Sequence, residues 1–440
     1  MRRLITLILL TVLVAAASYV LPRESREAPG ESALGAGIAT SALAEPVGGA
    51  ERAEVERLIR VFERRTREHT DPIDYKFLGR LYLERARSTG DIAAYSNADV
   101  AVNRAVALSP DAEALVLLGT VRFAMHDFAG ALDLARRVYD ADHGDLAALL
   151  LAGDADLELG RYAEARAEYT ALETALPDAP AVQARLARLA FLSGGAADRF
   201  ALAAQRAAET QGAFGPGLAW YAYLRAQVAY DAGDYSTALV EARDAVSIAP
   251  DYHVARAALA RSLAATSDLP AAIAEYERAI AIVPLPEYLA ALGDLLALSG
   301  DAAGAARNYG AVETIASLSA GARLYDRQLA LFYVDHDRNL PAALEIARSS
   351  VAARPDIYGH DVLAWALYKN GQLAEARAAS DRARALGTRD ARLLYHAGLI
   401  SHALGEYARA RAELSAALQI SPRFDPLQAK LAAAALEARP

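Results

Sequence analysis

The chain has 440 residues, no cysteine and a formal net charge of -9, which excludes disulfides, thiolate metal sites and a cysteine nucleophile. No run of five basic residues occurs, so a cationic stripe for nucleic acid is absent. Length alone predicts two or three globular domains, but the 54% hydrophobic content is rich in alanine, the best helix former. Three of the 46 basic residues are lysine, a bias that, with the alanine, is expected of GC-rich codon usage and a bacterial source.

Arg2 and Arg3 precede an uncharged apolar run, Leu4 to Leu21. Positive residues before such a run have the form of an export signal, and Ala15-Ala16-Ala17-Ser18 offers small residues for cleavage. The run is also close to the minimum of about 17 residues for a membrane span. Residues 1–21 are therefore expected to be a cleaved signal peptide or a retained anchor, with membrane contact through residues 4–21 in the second case. The repeat domain is expected outside the cytoplasm, secreted or periplasmic if the leader is removed. Residues 22–50 mix Pro, Gly, Ser, Ala and Glu without periodicity and predict a flexible linker whose ends lie about 30 Å apart as a coil.

Residues 51–70 place Val55, Leu58, Ile59 and Phe62 on one stripe of a charged helix, the pattern of an N-terminal cap. Asp71-Pro72 then opens the first of ten units, a capping residue followed by proline in the first turn. Unit ends fall at Pro110, His143, Pro177, Pro250, Pro284, Ser317, Pro355, Thr388 and Pro422, with one more unit at 178–216. The first unit has a longer span between its helices, Ser193-Gly194-Gly195 stretches the turn of the fourth, and Asp335 to Asn339 reads as an insertion. The period is clearest at the end, where Ala364 and Gly398, Gly371 and Gly405, Ala376 and Ala410, and Ala383 and Ala417 are each 34 residues apart. Residues 423–440, restarted by Asp425-Pro426 with Leu427 and Leu431 one turn apart, predict a C-terminal capping helix.

The slots repeat through the chain. A large-small pair recurs in the first helix, as in Leu78-Gly79, Leu118-Gly119, Leu292-Gly293 and Leu363-Ala364. Glycine ends many first helices (Gly160, Gly194, Gly233, Gly300, Gly371, Gly405), where it permits the left-handed cap. Alanine opens second helices where the two cross (Ala131, Ala165, Ala238, Ala272, Ala305, Ala343, Ala376, Ala410). On these residues, from 71 to 422, the chain resembles the tetratricopeptide repeat family. The resemblance implies an all-α, right-handed superhelical solenoid of about ten helix-turn-helix repeats with capping helices. It also implies a concave groove, lined by the first helices, that binds a peptide or helix of a partner protein.

The sequence holds no HExxH, glycine-rich phosphate loop, GxSxG or zinc spacing, so no catalytic residue, cofactor or metal is expected. Asp140 to Asp145 reads as a repeat turn, and His360, His396 and His402 as exposed helix histidines. The groove residues expected to meet a partner are Asp361, Trp365, Tyr368 and Lys369 in the ninth unit, and Arg392, Tyr395 and His402 in the tenth. Trp220, Tyr223 and Tyr230 form a second cluster in the fifth. Trp, Tyr and Arg are the types enriched at interface hot spots. The expected function is a non-enzymatic protein-binding scaffold or assembly factor. An extracytoplasmic small-molecule or cell-envelope polymer binder, using the same aromatic faces, is the alternative.

Overall fold

The computed structural model describes residues 49–319 and 323–437. The expected leader and nearly all of the linker lie outside these residues. Among the described residues every regular element is a helix, and none is long and apolar enough to cross a membrane.

Helix α1 (Gly49–Glu68) caps the array. Ten antiparallel pairs follow: α2 (Pro72–Thr89) with α3 (Ile92–Leu108), α4 (Ala112–Ala124) with α5 (Phe128–Ala141), α6 (Leu146–Glu158) with α7 (Tyr162–Ala175), α8 (Pro180–Leu192) with α9 (Ala197–Thr210), and α10 (Gly215–Asp231) with α11 (Tyr235–Ile248). The second half holds α12 (His253–Ala265) with α13 (Leu269–Ile282), α14 (Pro286–Ser299) with α15 (Ala302–Ser319), α16 (Asp326–Asp335) with α17 (Leu340–Ala353), α18 (Ile357–Lys369) with α19 (Leu373–Ala383), and α20 (Ala391–Ala403) with α21 (Tyr407–Ile420). Helix α22 (Gln428–Glu437) closes the chain.

Aspartates start many of these helices. Asp71, Asp111, Asp145, Asp268 and Asp390 each accept a backbone N–H of the first turn, satisfying donors that a helix leaves unpaired. The acidic stretch before α6 is a turn, since Asp142 accepts from Gly144 N and Asp145 from Ala148 N. The small slots lie where helices cross. Ala131, Ala165, Ala238, Ala272 and Ala343 are wholly buried. A Cβ added to Gly398 would stand 2.6 Å from Leu414 Cγ, so the two helices meet at a distance that only a missing side chain permits.

Three expectations are corrected. The extra length of the first unit goes into longer helices, α2 and α3, and leaves a tight turn at Gly90. Of the extra residues expected near 335–339, one lies there, in the four-residue link between α16 and α17, and the rest lie earlier, because α15 continues to Ser319 and α16 starts at Asp326. Leu431 of α22 faces solvent at 58% exposure, while Ala429 and Ala432 make the buried contact.

The array winds tightly enough for its second turn to rest on its first. Tyr162 Oη accepts from Ile357 N at 2.8 Å, Tyr230 Oη donates to Arg423 O at 3.0 Å, and Tyr235 Oη bonds Ser421 Oγ at 2.8 Å. Thr388 Oγ1 donates to Leu192 O, and Glu158 pairs with Arg354. The four hydrogen bonds link residues 186 to 196 apart, between five and six units of the 34-residue period. The turn inside each early unit thus meets a joint between later units. Gly160 meets Pro355, Gly194 meets Gly387 and Gly233 meets Ile420. A Cβ would stand 2.7 Å from Pro355 O at Gly160 and 2.8 Å from Gly387 O at Gly194. Gly371 has the same positive φ but nothing within 4 Å.

His126 also lies in this seam, at a positive φ of 63°. Burial, then the charges of Arg354 and Arg327, push its pKa from 6.5 down to about 4.

Two predictions follow from the seam. Gly371→Ala should cost about 1–2 kcal/mol of left-handed strain alone, lowering the thermal midpoint without opening the array. Gly194→Ala should in addition expose the amides around Thr388 to hydrogen exchange and enlarge the scattering radius; equal exchange in the two variants would refute the seam. The His126 pKa is depressed on folding, so its contribution is present above pH 6.5 and drains as pH falls toward 4. A shift of this size is worth at most roughly 3 kcal/mol. His126→Asn, which keeps a residue tolerant of positive φ, should flatten the fall in thermal midpoint between pH 7 and 4.5, and an unchanged slope would remove the histidine from that account.

Candidate functional site: a chamber between the two turns

Trp365 and Tyr395 form core between units and do not stand in a groove. Trp365 is 2% exposed and Tyr395 1%. The indole lies between the Tyr368 ring, 4.9 Å away and tilted by 8°, and the His396 ring, 4.4 Å away and tilted by 14°. Its Nε1 donates to Asp335 Oδ1 at 2.8 Å. Tyr395 contacts Trp365 and Phe424. Lys369 sits over the indole and pairs with Asp337 at 2.7 Å. The stripe at i, i+4, i+7, i+8 therefore faces the neighbouring first helices, α16 and α20, which is where a solenoid makes its unit-to-unit contacts. These aromatics are corrected from partner surface to packing.

The histidines are corrected too. His396 is 0% exposed, and its Nδ1 bonds both carboxylate oxygens of Asp361, at 3.0 and 2.9 Å. His402 is half-buried, edge-on to Tyr407. Trp220 is half-buried and T-shaped against Tyr221, packed between units.

Four of the expected residues do meet. Tyr223, Tyr230, Asp361 and Arg392 line two adjoining half-open cavities of about 510 and 1150 Å³, the smaller between first helices of the two superhelical turns and the larger bounded also by α13 and α22. Gln227, Tyr230, Arg261, Arg392 and Phe424 border both. The smaller cavity is polar, with Arg188, Asp231, Arg327, Tyr358 and Asp390 in its wall. The larger carries tyrosines and apolar residues, including Tyr276, Tyr288, Leu285, Leu295 and Leu298.

The polar wall is cross-braced. Arg261 lies 4.0 Å over the Tyr230 ring and its Nη2 donates to Gln227 Oε1 at 2.6 Å. Gln227 Nε2 donates in turn to Asp231 Oδ2 at 2.7 Å. Arg188 lies 5.1 Å over the Tyr358 ring, and Tyr358 Oη donates to Asp390 Oδ2 at 3.2 Å. Asp390 Oδ1 caps α20 through Arg392 N at 2.8 Å. Arg327 is paired with Asp356 at 2.5 Å.

Enclosure shifts the ionisable groups. Burial raises the Asp231 carboxyl, with Arg261 opposing, and pushes the Tyr276 phenol up to about 12. Burial also holds His253 down at about 4, leaving a neutral imidazole 3.0 Å from Tyr288 Oη. At neutral pH the tyrosine end is thus uncharged at these groups.

Sequence reading missed Arg188, Arg261, Arg327 and Tyr358. A partial signal was present, since Gln227 and Arg261, Arg327 and Asp361, and Tyr358 and Arg392 are each 34 residues apart. The polar face of the first helices repeats with the period of the packing face.

Comparisons with known proteins find the same type of repeat. A family model described as "Tetratricopeptide repeat" matches residues 223–285 and 362–423, and one described as "Anaphase-promoting complex, cyclosome, subunit 3" matches residues 91–172. The chain carries tetratricopeptide-type repeats. Among solved structures it is similar to a chain of the APC/C hetero-tetramer Cut9-Hcn1, at 14% identity over 88% of this chain and 94% of that one, with a TM-score of 0.32. It is also similar to yeast Tom70, at 12% identity over 87% and 96%, with a TM-score of 0.39. No curated protein matches the sequence.

Packing and chamber residues of these tetratricopeptide-type repeats should separate on substitution. Trp365→Ala removes a buried aromatic and orphans Asp335, so it should cost about 3–5 kcal/mol in denaturant unfolding. Tyr223→Ala, at the chamber wall, should cost less than half as much. Equal losses would return Trp365 to the surface.

Proposed function

We propose that this protein is a non-enzymatic scaffold that holds a segment of a partner protein in the chamber between its two superhelical turns. One observation carries the reading. First helices of both turns, with α13 and α22, line two adjoining half-open cavities, and the larger alone, about 1150 Å³, exceeds the roughly 300–1,000 Å³ of ordinary small-molecule pockets. Solenoids of this kind use such inner surfaces for binding. The tyrosine-lined end is the feature that a polymer or small-molecule ligand would use instead. We further propose that the array works outside the cytoplasm, on the strength of Arg2, Arg3 and the apolar run Leu4 to Leu21.

A photo-crosslinking amino acid at Gln328, in the chamber wall, should give adducts with protein from the extracytoplasmic fraction of the native host. The same probe at Val240, which is 61% exposed on a second helix, should give none. Equal adducts at both positions, or non-protein adducts at Gln328, would overturn the scaffold reading. Adducts with cytoplasmic proteins alone would overturn the placement.

A further inference from the structure

The chamber is chemically two-ended, and at its charged end the carboxylates and the arginines are engaged unequally. The carboxylates at that end are already committed to the protein's own donors. Asp231 takes Gln227, Asp390 takes the α20 amides and Tyr358, and Asp361 takes His396. Among the described residues Arg188, Arg261 and Arg392 make no ion pair, although Asp231, Asp361 and Asp390 share their wall and Arg261 Nη2 is spent on Gln227. Arg261 Nε is buried with no hydrogen-bond partner at all.

These three arginines come from α8, α12 and α20, helices of both superhelical turns, and converge on one cavity. Arg188 and Arg261 are held flat over tyrosine rings. The stacking fixes the planar forks while leaving N–H groups free for an oxyanion. A partly enclosed guanidinium with unused donors is costly to maintain, and a ligand carboxylate would satisfy it. The wider protein is acidic, at -9, so an acidic segment finds unpaired guanidinium groups inside the chamber rather than on the outer surface.

The other end differs. Tyr276, Tyr288, Leu295 and Leu298 present an apolar wall. Its carboxylates Asp294 and Asp425 are engaged, with His336 and Tyr309 on the first and the α22 amides on the second. Glu287, Arg423 and Lys430 also line this end.

Resting on the scaffold reading above, we propose that the chamber selects peptide segments in which an apolar stretch adjoins acidic side chains. The apolar stretch lies against the tyrosine wall, and the acidic side chains bind Arg188, Arg261 and Arg392.

The test is selection of random phage-displayed peptides on the full chain. Enriched peptides should carry Asp or Glu beside apolar residues. A selected peptide resynthesised with a C-terminal amide should bind about tenfold more weakly when its acidic residues become Gln, and more weakly at high salt. Arg188→Gln alone should reproduce most of that loss. This arginine is exposed to the chamber, so the fold should survive, with an unchanged thermal midpoint as control. Adding Arg261→Gln and Arg392→Gln should abolish the preference for Glu over Gln. Enriched peptides without acidic residues, or an undiminished preference in the Arg188 variant, would overturn the proposal and leave the scaffold reading standing. No enrichment, with inorganic phosphate alone raising the midpoint, would overturn both.

Discussion

The interaction on which the rest of the structure depends is the backbone contact between superhelical turns. At Gly160 and Gly194 the carbonyls of Pro355 and Gly387 come so near that a methyl group could not be inserted. Close approach of two main chains leaves polar groups that must be paired, and the seam pairs several. Tyr162 accepts the Ile357 N–H, Thr388 donates to the Leu192 carbonyl, and Tyr230 donates to the Arg423 carbonyl. An open array would offer a groove exposed along one side. With the seam made, first helices of both turns line a half-open recess, where Arg188, Asp231 and Arg261 interact at a lower effective dielectric than on a free surface.

That contact works only if pitch is uniform. Each early turn must arrive opposite a later joint, so an error in each unit's rise would accumulate over five units. The alanine slots control this. With Ala131, Ala165, Ala238, Ala272 and Ala343 fully buried at five of the crossings, the helix pairs stack through similar small-residue contacts. Irregular length is displaced to where it does not alter the crossing. The first unit lengthens its helices, and the seventh lengthens α15 and the joint after it. Local packing and long-range closure are thus one constraint at two scales.

The helix pairs, their number and their glycine and alanine slots were legible in the sequence because each depends on neighbours within a repeat. The seam was not. Its contacts join residues 186 to 196 apart, and no short-range pattern encodes which joint meets which turn. Gly160, Gly194 and Gly371 look alike in sequence, all with positive φ at a helix end, and structure alone separates the two that also admit a second backbone. The candidate site was half legible. Arg392, Tyr223, Tyr230 and Asp361 line the chamber, but the arginines on α8 and α12 carried no local motif.

The aromatic stripe shows why composition misled. A first helix in a solenoid has two buried sides, one toward its own partner helix and one toward the next first helix, and a third side toward the interior. Trp and Tyr suit an interface hot spot and an inter-unit core equally well. What decides between them is the polar partner. The Trp365 indole N–H is met by Asp335, 30 residues earlier, and Asp361 by His396, 35 residues later, so these two groups find their partners in adjacent units. Arg188, Arg261 and Arg392 differ because none is held in an ion pair among the described residues, and Arg261 Nε has no partner beside the bond from Nη2 to Gln227. In a closed array, function is better sought among polar groups the fold leaves unsatisfied than among the aromatics it exposes, and that criterion moves the site from the ninth unit's stripe to the arginines shared by both turns.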